Sequence, residues 1–310
     1  NGTALRIVYM DATKGWIPTV AGAVAYSAGN DEGIFGYGND GSQASMTNLV
    51  SNTGVVATDV TGVGTARDNI AACEYGGDKG IFGFGWDGSN LSMTNLVSNA
   101  GVVASDQAAT TGTARHGLAA CEYGGDKGIF GFGSTASYES VTNLVTNAGV
   151  VSTDVTGVGT NHGYLAACEY GGDKGIFAYG TTGSIVSISN LVSNAGVVAS
   201  DVIGVGTARY GPAACGYGED KGIFRGGSGY TAVTNLVSNA GVVSTDVTGV
   251  GTARGYLAGC EYGYDKGIFA YGTGGSYVSV SNLVSNTGVA TADVTGVGTA
   301  RYNLAGCSFN

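Results

Sequence analysis

The stretch that decides the fold is Asn69-Ile70-Ala71-Ala72-Cys73-Glu74-Tyr75-Gly76-Gly77-Asp78-Lys79-Gly80-Ile81-Phe82-Gly83-Phe84-Gly85. It reads as two short strands joined by a tight turn. Gly76 and Gly77 supply the positive φ that such a turn requires. Side chains alternate along a strand, so Phe82 and Phe84 share one face and Ile81, Gly83 and Gly85 the other. A glycine face lets a neighbouring sheet approach closely, and the rings fill the opposite gap. A third strand over residues 92–97 and a fourth over 102–105 are joined by Ser98-Asn99-Ala100-Gly101, which has hairpin chemistry. No segment sustains a helical period.

This unit recurs. Gly-Ile-Phe begins at Gly33, Gly80, Gly128, Gly175, Gly222 and Gly267, with gaps of 47, 48, 47, 47 and 45 residues. Asn-Leu-Val keeps step from Asn48, Asn95, Asn143, Asn190, Asn235 and Asn282, and so do the six cysteines. Six units of four strands each predict an all-β, six-bladed β-propeller over residues 21–310, four antiparallel strands to a blade. Open edges invite pairing with other chains, and the inner-strand sequence has extra copies at 23–26 and 304–307. Closure is therefore expected from pairing of N- and C-terminal strands. Residues 1–20, with Trp16 and Pro18, read as a linker or the end of an upstream domain.

Composition agrees with a folded chain. Of 310 residues 58 are glycine but only two are proline, and there is no Gly-X-Y period, which excludes collagen. Hydrophobic residues make up 43% and charged ones 12%, the reverse of a disordered balance. A net charge of −10 argues against nucleic acid and against anionic membrane surfaces as partners. No apolar run is long enough for a membrane-spanning helix.

Thr65-Ala66-Arg67, Ile70-Ala71-Ala72, Gly76-Gly77 and the 80–85 strand resemble a kelch repeat, with Arg ahead of the inner strand. Arg225-Gly226-Gly227 gives one Gly-Gly pair of the kind such repeats carry, but the late tryptophan is absent. The wording of residues 47–59 is similar to kelch-like repeats in proteins of marine bacteriophages, and residues 9–16 look like the closing segment of phage virion domains. The resemblance implies a virion component, extracellular and tail-associated or surface-exposed, with other virion subunits as partners and self-association as a further possibility.

Within one chain, the units can be compared with each other. With the strands of a blade labelled A to D, the A–B turns (Gly76-Gly77-Asp78-Lys79 and its copies) and the C–D turns are nearly constant. The B–C loops differ: they carry Asp40, Trp86, Tyr138, Tyr230 and Tyr277. The D–A connections differ as well, with Asp68, His116, Tyr164, Tyr210, Tyr256 and Tyr302. Strand alternation puts both variable sets on one face. Loops on a rigid scaffold are where recognition resides, and Tyr with Asn, Ser and Asp suits adaptable contact. These eleven residues are the candidate ligand-binding set, with a host-surface glycan or protein as the expected ligand.

The remaining chemistry reads as scaffold. Cys73, Cys121, Cys168, Cys215, Cys260 and Cys307 occupy one repeat position. Packed sheets hold them beyond disulfide reach and too far apart for tetrahedral metal ligation, so they are small buried residues and no metal or cofactor is expected. Arg67, Arg115, Arg209, Arg254 and Arg301 form a near-complete ring, with His162 in the third place. Asp59, Asp106, Asp154, Asp201, Asp246 and Asp293 precede these positions by eight or nine residues and suggest Asp–Arg braces. Two histidines at non-equivalent positions, with no nucleophile or metal motif, argue for a binding protein over an enzyme. The alternatives are a structural decoration or assembly protein of a virion, and a polysaccharide-acting enzyme using paired loop carboxylates.

Overall fold

The computed structural model describes residues 31–107 and 112–309, and the backbone of β1 (Leu5–Asp11) and β2 (Gly15–Val20), an antiparallel pair. Trp16 as a packing residue, the inner-strand copy at 23–26 and the expected boundary near residue 20 lie outside the described residues.

Six sheets follow, each of three antiparallel strands. The second contains β5 (Ala71–Tyr75), β6 (Lys79–Trp86) and β7 (Asn90–Val97). The same order gives β8 (Ala119–Tyr123), β9 (Lys127–Gly131) and β10 (Thr142–Val145), then β11 (Ala166–Tyr170), β12 (Lys174–Ala178) and β13 (Ser189–Val192). Next come β14 (Ala213–Tyr217), β15 (Lys221–Arg225) and β16 (Thr234–Val237), then β17 (Ala258–Tyr262), β18 (Lys266–Ala270) and β19 (Ser281–Val284). The remaining sheet joins the chain ends: β20 (Ala305–Phe309) pairs with β3 (Glu32–Gly36), which pairs with β4 (Thr47–Val50). Register is constant, with Cys73 opposite Ile81 and Ile81 opposite Leu96, as Cys168, Ile176 and Leu191 are in their sheet.

The expected closed, six-bladed propeller with four-stranded blades is thereby corrected, whereas the expected pairing of the C-terminal segment beside strands of the first unit is found in β20 with β3. Each sheet has three strands, and none is closed or curled upon itself. The missing fourth strand has a physical cause. Residues 102–107 meet β7 only at two isolated bridges, Val97 with Val103 and Thr94 with Gln107. Between them the buried Asn95 side chain donates to the Ala104 carbonyl (3.0 Å) and to Asp106 Oδ1 (2.9 Å). A side chain thus takes the place of ladder hydrogen bonds, and the segment is pinned rather than paired.

The sheets meet through their first strands: β5 touches β8, β8 touches β11, and so on to β20, which touches β5. The contact is close because of glycine. A Cβ on Gly128 of β9 would lie 2.5 Å from Cys73 Sγ, and one on Gly131 would lie 2.7 Å from the Phe177 ring. The apolar interior is accordingly a series of six clusters between neighbouring sheets. One such cluster sets Cys73, Tyr75, Ile81 and Phe84 against Leu118, Ala120 and Phe130. Full burial of a ring such as Phe130 contributes about 2–3 kcal/mol. All six cysteines are buried and unpaired.

The arginines are scaffold residues, but not through the braces expected. Arg67 is fully buried and donates from Nε to the Phe84 carbonyl (2.8 Å), from Nη1 to the Thr65 carbonyl (3.0 Å) and from Nη2 to Asn95 Oδ1 (2.6 Å). Its guanidinium lies 4.3 Å from the ring centre of Tyr37 on the preceding sheet. The nearest carboxylate is Asp106, 3.8 Å away and 39 positions later in the chain, not Asp59 eight positions earlier. Asp59 pairs instead with Arg301 (3.9 Å), and Arg115 and Arg254 follow the Arg67 pattern. Each aspartate mainly accepts from a threonine of the neighbouring unit: Thr65 donates to Asp106 from N (2.9 Å) and Oγ1 (2.8 Å).

Candidate functional site

The segments just before the first strands come together. Six backbone hydrogen bonds link them in a cycle: Asn69 N–H donates to Asn303 O, Gly117 to Asn69, Tyr164 to Gly117, Gly211 to Tyr164, Tyr256 to Gly211 and Asn303 to Tyr256, at 2.6–3.0 Å. All six residues have positive φ, between 51° and 64°. Glycine and asparagine accept this conformation readily, whereas a bulky side chain is strained in it. Two members are nonetheless tyrosines, Tyr164 and Tyr256, both with φ of 54°.

Above this ring lies an open depression of about 730 Å³. Tyr164, Tyr210, Tyr256 and Tyr302 enter it from the segments before four first strands, and Tyr138, Tyr230 and Tyr277 enter from the loops after three second strands. Five of the six sheets supply a tyrosine, and the segment before β5 supplies Asn69. The rings meet edge to face in succession: Tyr164 to Tyr210 at 6.4 Å, Tyr210 to Tyr256 at 5.9 Å, Tyr256 to Tyr302 at 6.1 Å. Tyr277 stacks on Tyr302 at 4.8 Å. His116 and Trp86 extend the row, with Trp86 5.3 Å from His116 and His116 5.9 Å from Tyr164.

Ten of the eleven candidate residues thus line the depression or adjoin it; Asp40 does not. Asp40 sits in an exposed loop, where its Oδ1 accepts from Ser42 N at 3.3 Å. Trp86 and His116 stand at the edge through the ring contacts above. Asp68 is 4% exposed, and its carboxylate accepts from Asn69 Nδ2 and Asn39 Nδ2, both at 2.8 Å. Sequence reasoning missed Asn69, Asn303, Thr181 and Thr273 in the lining. The two asparagines occupy the repeat position of Tyr164 and Tyr256, which was the available signal.

The electrostatics are one-sided. Among the described lining residues none is charged. Burial first, then the fields of neighbours that include Asp68, raise the Tyr164 and Tyr302 phenols above their ordinary range. His116 is pulled below the usual histidine value by burial, against the field of Asp68. Asn90 Oδ1 can only accept, so His116 Nδ1–H donates to it (2.6 Å), and Nε2 accepts from the Tyr164 hydroxyl (3.0 Å). Burial favours the neutral imidazole, which is held between two partners.

A second constellation lies at the level of the first strands. Glu74, Glu122, Glu169 and Glu261 face a small cavity of about 40 Å³ lined by all six first strands. Sequence reasoning passed over them, although strand alternation puts Glu74 on the face opposite Cys73. Glu122 is 8% exposed, and burial, then the neighbouring carboxylates, push it up to about 8. Glu169 and Glu261 are raised well above the ordinary range for the same reasons. Among the described residues no group of three or more His, Cys, Asp or Glu is placed to hold a metal ion, and no helix is long and apolar enough to cross a membrane.

A scan against protein-family models finds no family that matches the chain, and a search among curated proteins finds no match. The resemblance to kelch repeats and to kelch-like proteins of marine bacteriophages is therefore corrected: neither finding supports it. The bacteriophage, virion, tail-fibre and host-attachment assignments rested on that likeness and fall with it. The recognition of a host-surface glycan or protein by one face of a propeller loses its architecture too, because the sheets are three-stranded and unclosed.

Proposed function

We propose that the protein binds a small organic molecule in the tyrosine-lined depression and releases it unchanged. One observation carries this reading: seven tyrosines from five separate sheets converge on one concavity. Its volume of about 730 Å³ falls in the range of small-molecule sites. Tyrosine offers broad contact area with little rotamer entropy to lose, and a hydroxyl for orientation. Backbone strain points the same way. Tyr164 and Tyr256 hold positions that Gly and Asn fill more easily, at a cost of roughly 1 kcal/mol each. Such strain clusters at ligand clamps and active sites.

The test is a screen of small molecules for ligand-induced rise in Tm, repeated on Tyr164→Asn and Tyr256→Asn. Asparagine already occupies the ring at 69 and 303, so both variants should fold with unchanged or slightly raised Tm. Hits should lose about tenfold or more in affinity, the scale expected for an aromatic contact. A screen without hits, or hits indifferent to both substitutions, overturns the reading.

A further inference from the structure

We infer that the molecule taken by the depression is a small organic cation of the methylated-ammonium type, an inference that rests on the proposed ligand site. The lining is rich in tyrosine rings and in hydroxyl and amide oxygens. The faces of tyrosine rings attract cations through the ring quadrupole. Asn69, also in the lining, donates one Nδ2 hydrogen to Asp68 (2.8 Å).

No cationic side chain is among the described residues that line the depression. Arg67, Arg115, Arg209, Arg254 and Arg301, which precede the lining segments, and Arg225 are at most 1% exposed and bond inward to carbonyls or asparagine amides. Lys79, Lys127, Lys174, Lys221 and Lys266 follow the turns after the first strands, at the strand ends opposite those that enter the depression, each paired with the aspartate before it. An anionic ligand would find no cationic partner in the lining. Negative charge, by contrast, sits beside it. The Asp68 carboxylate is buried next to Asn69, where its field reaches Tyr164 and Tyr302. His116 stands at the edge, where burial disfavours its charged form. A cation entering the site gains both the ring faces and this field, whereas a neutral molecule of the same shape gains only contact area.

The experiment is a calorimetric titration of the full chain at neutral pH with tetramethylammonium, choline, the neutral choline isostere 3,3-dimethylbutan-1-ol, and glucose. Choline should bind about tenfold or more tightly than the alcohol, the factor expected of a partly desolvated cation–π contact. Added salt should weaken choline and leave the alcohol unaffected. Asp68→Asn should lower choline affinity severalfold without changing alcohol binding. The comparison of choline with its isostere needs no variant, so misfolding of Asp68→Asn leaves the test intact. Equal binding of choline and the alcohol, or binding of glucose without the ammonium compounds, overturns the cation inference while the ligand site stands. Binding of a neutral or anionic compound from the wider screen, with none of these probes bound, overturns it likewise. If nothing binds at all, the site and the inference fail together.

Discussion

At the scale of single residues, His162 is the clearest departure from the repeat. Its Nδ1–H donates to the Thr160 carbonyl at 2.7 Å, as arginine Nη1 does in the other units, and its ring lies 4.4 Å from Phe132. The bond from Nη2 to asparagine is missing. His162 Nε2 and Asn190 Oδ1 are both buried with no partner, two acceptors without a donor between them. An unmet buried polar group costs about 1–3 kcal/mol. His162→Arg should therefore raise Tm by several degrees, read by calorimetry, with His162→Ala as a control that brings no gain. An unchanged or lower Tm for the arginine variant would show that the site has relaxed around histidine. The arginine ring was legible in the sequence because every copy repeats it. Its partners were not: the eight-residue spacing from Asp59 to Arg67 suggested a local brace, while the fold pairs Arg67 with the aspartate of the following unit, Asp106.

At the scale of strands and sheets, the glycine face is what the sequence made most visible. The alternation of Phe82 with Gly83 suggested close approach, and Gly83 indeed meets the Phe130 ring, with 2.7 Å from its Cβ position to Cζ. The glycine three positions earlier in the repeat is more exacting. A Cβ on Gly128 would lie 2.5 Å from Cys73 Sγ and 3.0 Å from the Glu74 carbonyl, and backbone cannot yield cheaply. Gly128→Ala should destabilise by about 1–3 kcal/mol, as overpacking does. The double variant Gly128→Ala with Cys73→Ala should recover part of that loss, because the sulfur is gone and the carbonyl remains. A Gly128→Ala protein as stable as the parent in urea titration would mean that the sheets slide apart freely. The fourth strand was the misleading element. Val102-Val103-Ala104-Ser105 has strand composition, but nothing in its residues announces that Asn95, a neighbour across the turn, takes its carbonyl by side chain. The candidate site was partly legible. Variation among units singled out the tyrosines, but not which of them face one depression, since only the backbone cycle through Asn69, Tyr164 and Tyr256 brings them together.

At the scale of the whole molecule, stability should depend on pH in a direction set by the four central glutamates. Their folded pKa values are raised, first by burial, and for Glu122, Glu169 and Glu261 by one another's charge. A group raised on folding contributes its stability fully below its unfolded value and loses it as pH rises through the folded one. For Glu122 that window runs from the ordinary glutamate range, near 4.5, to about 8. Because the groups interact, the loss arrives in steps that belong to the set rather than to one residue. The opposite limb is set by groups depressed on folding. His116 and His162, lowered by burial, favour the neutral ring and lose stability as pH falls through their folded values. Asp59 and Asp106 are lowered by threonine and asparagine hydrogen bonds against the pull of burial, and their contribution disappears in stronger acid. Between these limbs Tm should peak in mildly acidic buffer and decline steadily toward pH 9. Glu122→Gln removes one titrating charge from the cavity while keeping its shape, and it should flatten the alkaline limb and leave the acid limb unchanged. A parent protein as stable at pH 9 as at pH 6 would mean that water reaches the glutamates and neutralises the cost of their charge. A glutamine variant with an unaltered alkaline limb would move the cause to the three remaining carboxylates, with Glu261, flanked by Gly216 and Ser308 in the neighbouring first strands, the next to replace.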